Sequence, residues 1–281
     1  MRLGLFTDAL ADRPLGDVLD WLASELPSVR DLEVGVGGYS PATHRDALGE
    51  AELRGFRVSA LNASGNPLGD RDHDAALREA IRLADGLGVD RVVCMSGGDP
   101  RLAGAGWFPG VEDETERFWE DEVLPYWREV TALAERVDVS LCLELEPGSA
   151  VFNTSTFERL AAISPALAVN LDPSHFLWQA IDPLAVCARL GGRIGWAHGK
   201  DTVLDGERVA LDGLIDRRAW RYAAVGGGND PDWWRSLTGA LRAAGYDEVM
   251  SIEVEDETLS AEDAVRRSAD VLEAAVAAPV G

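Results

Sequence analysis

Four short apolar runs in the second half of the chain each end in a side chain able to ligate a metal. They are Leu141-Cys142-Leu143-Glu144, Ala168-Val169-Asn170-Leu171-Asp172, Ile194-Gly195-Trp196-Ala197-His198 and Val249-Met250-Ser251-Ile252-Glu253. Each has the apolar density of a parallel strand buried on both faces. An α/β barrel places its chemistry at the carboxyl ends of such strands, so Glu144, Asp172, His198 and Glu253 are expected to converge there. Three carboxylates and one imidazole make a hard, oxygen-rich donor set. It suits Mn²⁺ first, with Mg²⁺, Co²⁺ or Zn²⁺ as alternatives. A divalent ion there would act as a Lewis acid on a ketone or a pair of adjacent hydroxyls. Glu144 and Glu253, on opposite sides of it, would remove and return a proton. That chemistry fits epimerisation or isomerisation of a sugar, keto sugar or cyclitol through an enediolate. The alternative is a lyase or dehydratase that eliminates from the same enolate of a 3-keto sugar or glycoside. A non-catalytic sugar-binding barrel is a third reading.

Further groups lie near these strand ends. Asp172-Pro173-Ser174-His175 adds a second imidazole, and we expect His175 to contact substrate rather than only orient Asp172. His198-Gly199-Lys200-Asp201 adds a cation, Lys200, suited to steadying an enediolate oxygen. It is the only lysine in a chain whose other cations are all Arg, and its compact ammonium is not equivalent to a guanidinium. Asp201 is read as orienting Lys200 or capping the next segment of chain. Side chains alternate along a strand, so Glu146 points the same way as Glu144 and joins the candidate substrate contacts. Asn62 is a candidate hydroxyl-binding group, as are Asn66 and Ser96, although turn and cap roles compete for all three. Trp107 is expected to pack on substrate, with Phe108 and Trp178 as companions. Trp21, Trp119, Trp127 and Trp234 read as helix packing, and His44 and His73 receive no role. The Gly226–Gly228 run is read as a weak phosphate signal or a tight turn.

The elements that must position these groups alternate from end to end. Strands are expected at Leu3–Phe6, Asp31–Val36, Phe56–Asn62 and Arg91–Ser96, followed by the four runs above. Helices are expected at Leu15–Leu26, His44–Arg54, Asp74–Leu87, Glu114–Arg136, Thr156–Ile163, Pro183–Leu190, Asp232–Ala244 and Ser260–Ala277. Eight strand–helix units imply right-handed crossovers and a parallel sheet, here a single (β/α)₈ TIM-barrel domain spanning residues 1–281. An open doubly wound sheet usually carries a Gly-rich turn after its first strand, and Phe6-Thr7-Asp8-Ala9-Leu10 has none. Two longer stretches, Gly97–Asp113 and Gly199–Pro231, come after strands and are read as lids or binding loops.

The 281 residues are close to the size of one barrel, and the formal net charge is -23. So acidic a surface repels phosphate backbones and anionic lipid, which argues against nucleic-acid and membrane partners. Three cysteines without metal-type spacing read as buried thiols in a reducing compartment. No apolar run reaches membrane-spanning length. A cytoplasmic protein acting on a small carbohydrate is expected, and a homo-oligomer is compatible with the sequence.

In combination, several motifs resemble the xylose-isomerase-like TIM barrels, a family of sugar phosphate isomerases and epimerases. They are Gly4-Leu5-Phe6-Thr7-Asp8, Glu33-Val34-Gly35-Val36-Gly37-Gly38-Tyr39-Ser40, Ser59–Leu68, Asn170-Leu171-Asp172-Pro173-Ser174-His175, the His198, Lys200, Asp201 group and Ser251-Ile252-Glu253-Val254-Glu255-Asp256. The resemblance implies a divalent ion on Glu144, Asp172, His198 and Glu253. It also implies Glu144 and Glu253 as the acid/base pair and His175 as a substrate contact. Where close relatives often carry Glu-x-His-Pro-Gly and Glu-His-Glu-Asp, this chain has Glu144-Leu145-Glu146-Pro147-Gly148 and Glu253-Val254-Glu255-Asp256. Glu146 thus replaces an imidazole by a carboxylate on the active face. Apurinic endonucleases of the related fold gather many His in a basic groove, and four His at net charge -23 argue against that activity.

Overall fold

The apolar runs become the staves of a closed parallel barrel. A computed structural model describes residues 1–43, 45–99, 112–216 and 218–278. The barrel strands are β1 (Arg2–Phe6), β2 (Asp31–Gly35), β3 (Arg57–Asn62), β4 (Arg91–Met95), β5 (Ser140–Glu144), β6 (Leu167–Leu171), β7 (Ile194–Gly199) and β10 (Val249–Ile252), in the spatial order β1-β10-β7-β6-β5-β4-β3-β2. Two short strands outside it, β8 (Asp201–Leu204) and β9 (Trp220–Ala223), form an antiparallel pair. The sequence reading has all eight barrel strands within two residues of their ends, and it has neither β8 nor β9.

The chain packs as two units. The first comprises Met1–Glu33, Glu50–Arg57 and Leu171–Gly281. In it β1 lies between β2 and β10, with Leu5 opposite both Leu32 and Ile252. β10 pairs with β7 so that Ser251 faces His198. Three helices of this unit start at Asp-Pro pairs: Pro173–Leu177, Pro183–Leu190 and Pro231–Ala243. Pro lacks only an amide hydrogen that the first turn would leave unpaired, and its fixed φ suits a helix start. The Asp ahead of each Pro accepts a backbone amide from the next turn.

The second unit comprises Val34–Gly49 and Val58–Asn170. Its strands run in sequence order, and Leu61, Val92, Leu141 and Leu167 are successive partners across β3, β4, β5 and β6. Val92, Leu141 and Leu167 are all buried, as strands covered on both faces require. Asn66 clasps two of its loops together by donating to the Gly98 carbonyl and accepting from the Gly98 amide. Cys94, Cys142 and Cys187 are buried and form no disulfide among the described residues. Burial pushes the Cys94 thiol well up and the Cys187 thiol to about 12, so neither is a nucleophile near neutral pH. Among the described residues no helix is long and apolar enough to cross a membrane.

Candidate metal centre

Each of the four strand-end residues sits where its strand stops. Glu144 is the last residue of β5, Asp172 comes directly after β6, His198 is the penultimate residue of β7 and Glu253 comes directly after β10. Each offers one ligand atom, and these atoms all lie within 4.8 Å of one another.

Local structure presets the orientation of two of them. Asp172 caps the short helix Pro173–Leu177: its Oδ1 accepts from the Ser174 amide at 2.8 Å. The cap holds the carboxylate so that Oδ2 faces the centre. His198 is held through its other nitrogen. Its Nε2 lies 2.9 Å from Oε2 of Glu33, a fully buried carboxylate in β2 that also accepts from Trp196 Nε1 at 2.7 Å. Trp196 and His198 are two apart in β7 and share a face. A carboxylate can only accept, so Glu33 keeps a proton on Nε2, and Nδ1 faces inward, where it would ligate a metal on giving up its own proton. A carboxylate behind a ligating His is the usual arrangement at metal centres. Phe6 stacks on the His198 ring at 6.0 Å.

The donor atoms have the signature of a cation site. His198 Nδ1 lies 2.7 Å from Glu253 Oε2. That oxygen and Asp172 Oδ2 are buried yet accept no aligned hydrogen bond from the described residues. Their near neighbours are side-chain nitrogens, His198 beside the first and His175 and Lys200 beside the second, and a divalent ion would give both oxygens a direct partner. Burial alone would lower the His198 pKa, but Glu33 and Glu253 outweigh it and hold the ring well above the usual imidazole range. Burial would raise that of Glu253, but Lys200 and then His198 hold it well below the usual carboxylate range. The electrostatics favour positive charge between these groups. The residues therefore fit a divalent ion.

Lys200 is 1% exposed, with Nζ at 3.3 Å from Asp172 Oδ2, 3.1 Å from Glu253 Oε1 and 3.0 Å from Glu255 Oε1. Its ammonium also lies over the Tyr222 ring, 4.7 Å from the centroid. His175 stands beside the same candidate ligand, its Nε2 3.2 Å from Asp172 Oδ2. These two non-ligand groups are thus brought to the centre.

The other candidates fare differently. Asn62 is buried and its Oδ1 accepts from the Ser64 amide, which is the turn role weighed against hydroxyl binding. Glu146 is half-buried; burial and then its charge raise the Tyr39 pKa. Trp107 and Phe108 lie outside the described residues. Trp178 stacks face to face on Trp220 at 4.6 Å. Asp201 does not orient Lys200 by any described bond. Its carboxylate gathers the amides of Thr202, Gly226, Gly228 and Asn229 together with the Asn229 side chain. The Gly226–Gly228 run is therefore a turn closed on an internal carboxylate. A Cβ on Gly228 would lie 1.9 Å from the Thr202 carbonyl oxygen, so only glycine fits there.

Neither Glu33 nor Tyr222 receives a role from the sequence alone. Glu33 carried a signal, a charged residue inside a run that is otherwise buried strand. Tyr222 carried none.

The family model for xylose isomerase-like TIM barrels matches residues 25–275. The uncharacterised protein YfiH of Bacillus subtilis (strain 168) is 34% identical over 309 aligned residues, covering 97% of this chain and 98% of its own. Among solved structures, the IOLI protein with a bound zinc atom is 18% identical with a TM-score of 0.70, covering 98% of each chain. AsbF of Bacillus anthracis, described as a probable 3-DHS dehydratase, is 15% identical with a TM-score of 0.70, covering 97% of this chain and 99% of its own. At those identities the structural likeness is one of fold. The closed barrel, the strand-end cluster and the family match agree, and the chain belongs to the xylose isomerase-like TIM barrel family.

Proposed function

We propose that the protein is a divalent-metal-dependent isomerase or epimerase of an unphosphorylated sugar, keto sugar or cyclitol. The observation that carries this reading is the set of four ligand atoms, on Glu144, Asp172, His198 and Glu253, within 4.8 Å of one another. A bound divalent ion would supply Lewis acidity for the oxygens of an enediolate. Mn²⁺ suits three carboxylates and an imidazole, and the zinc atom in the IOLI structure makes Zn²⁺ the nearest alternative. Glu144 and Glu253 act as the acid/base pair. One takes the proton from the carbon beside the carbonyl, and the other returns a proton from its own side. Lys200 and His175 face the substrate oxygens. Glu146 contacts more distant hydroxyls.

Absence of a phosphate on the substrate is supported by charge and by occupancy. The formal net charge is -23. Lys200 is shared among three carboxylates. The Gly226–Gly228 loop, which the sequence offers as a weak phosphate signal, already binds Asp201.

The test is solvent deuterium exchange at the carbon next to the carbonyl in a panel of free ketoses and keto sugars. Glu144→Gln and Glu253→Gln should each lower exchange by roughly 10²–10⁴-fold, the usual contribution of a general base. Exchange retained in both variants would sink the two-glutamate reading. A product of unchanged mass supports isomerisation, whereas a product lighter by one water or an aglycone would move the activity to elimination.

A further inference from the structure

The β8–β9 pair comes directly after β7 and carries Tyr222 into the candidate site. Three sets of bonds fix it. The Asp201 carboxylate, at the start of β8, holds the amides of Gly226, Gly228 and Asn229 just past β9, each at 3.0 Å. Asp256 accepts the Ala224 amide at 3.0 Å and Ser268 the Val225 amide at 3.0 Å. Thr202, the cross-strand partner of Tyr222, donates its hydroxyl to the Ser174 carbonyl at 2.9 Å. That last bond ties the pair to the helix Pro173–Leu177, which carries His175.

Aromatic packing adds a second brace. Trp178, at the end of that helix, stacks on Trp220 with 1° between the ring planes, and Trp220 meets the Tyr222 ring at 5.2 Å. Parallel and edge-on ring pairs each contribute beyond their buried area. Tyr222 is thereby held with its hydroxyl 2.9 Å from His175 Nδ1 and its ring face 4.7 Å from Lys200 Nζ.

We propose that Tyr222 is a positioning residue that sets the proton placement of His175 and the seat of Lys200. Asp172 Oδ2 lies 3.2 Å from His175 Nε2, and its negative charge favours a proton on that nitrogen. The Tyr222 hydroxyl then donates to the unprotonated Nδ1. Neutral His175 is held as the Nε2–H tautomer and offers a donor to the site. The ring face of Tyr222 meanwhile attracts the Lys200 ammonium. The catalytic consequence rests on the reading of His175 and Lys200 as substrate contacts. The tautomer does not.

The experiment is ¹⁵N NMR of the imidazoles in protein loaded with diamagnetic Zn²⁺ or Mg²⁺, about two pH units above the ordinary histidine pKa of about 6.5. The chain has four His, and His175→Gln assigns the signal. The wild type should show His175 with Nε2 protonated and Nδ1 accepting a hydrogen bond. Tyr222→Phe should keep the ring, lose the Nδ1 hydrogen bond and populate both tautomers. It should also lower kcat by roughly 10–100-fold, the usual effect of losing a group that orients a site residue, with KM changed less. A wild-type Nδ1–H tautomer, or a His175 signal unchanged in Tyr222→Phe, overturns the proposal. The wild-type spectrum decides the matter alone should the variant not fold. The expected spectra in a protein that catalyses no exchange would retain the positioning role and discard the proposed function.

Discussion

Replacing Lys200 by Met removes a buried cation while keeping an apolar stem of similar length. Lys200 and Asp172 side chains are each 1% exposed and that of Glu253 is 12% exposed, whereas Glu255 is 53% exposed. The first two carboxylates therefore dominate, and Glu255 is discounted for solvent screening. Deleting one partner of a buried ion pair costs about 3–5 kcal/mol, because the remaining charge stays buried and unpaired. With an unfolding entropy of about 2.1 cal/mol/K per residue, such a loss lowers Tm by about 5–8 °C for a chain of 281 residues. The metal-free variant should show that fall by calorimetry. Asp172 and Glu253 are also candidate ligands, so added Mn²⁺ compensates the same carboxylates. The rise in Tm on adding Mn²⁺ should then be several degrees larger in Lys200→Met than in wild type. Equal metal-induced rises, or a metal-free Tm within about 1 °C of wild type, would refute the idea that one ammonium and one ion share these oxygens.

Two other consequences are open to measurement. Glu33→Gln replaces an acceptor-only group by one that can also donate, so His198 loses the partner that fixes its proton; titration calorimetry should show metal affinity weakened roughly 10–100-fold, and an unchanged affinity would remove Glu33 from the centre. Burial alone would raise the Asp256 pKa, but the Thr258 hydroxyl, the Ala224 amide and the Thr258 amide lower it. Its folded-state pKa is thus below the unfolded value of about 3.9. The stability it contributes is complete above that value and is lost as pH falls through the folded pKa. Asp256→Asn should therefore melt below wild type at neutral pH and approach it in strong acid, and a constant gap across that range would contradict this.

The parts of the site that were legible in the sequence are those that a strand end makes conspicuous. Glu144, Asp172, His198 and Glu253 each terminate an apolar run, and a polar group there must be satisfied by something. Glu33 obeys the same logic but lies inside its strand, and its partner His198 is 165 residues away; no local pattern joins them. The helix Pro173–Leu177 has only 5 residues, too few for a hydrophobic period to register, although Asp172-Pro173 is a start signal. β8 and β9 have 4 residues each, and the helix Gly206–Asp212 lies between them. Without a two-residue turn joining them, nothing in Gly199–Pro231 announces a hairpin. The pairing that delivers Tyr222 comes instead from the tertiary bonds of Asp201.

The carboxylate of Asp201 is an intramolecular competitor as well as a staple. It is covalently attached one residue from Lys200 and already sits among the Gly226, Gly228 and Asn229 amides at 3.0 Å. A group tethered and oriented in this way acts at an effective concentration far above any solute anion in a cell. Dissolved phosphate, or a phosphate on a substrate, would have to displace it and leave a buried carboxylate without its donors. The loop thus carries its own permanent ligand, and chain connectivity closes these amides to a dissolved anion.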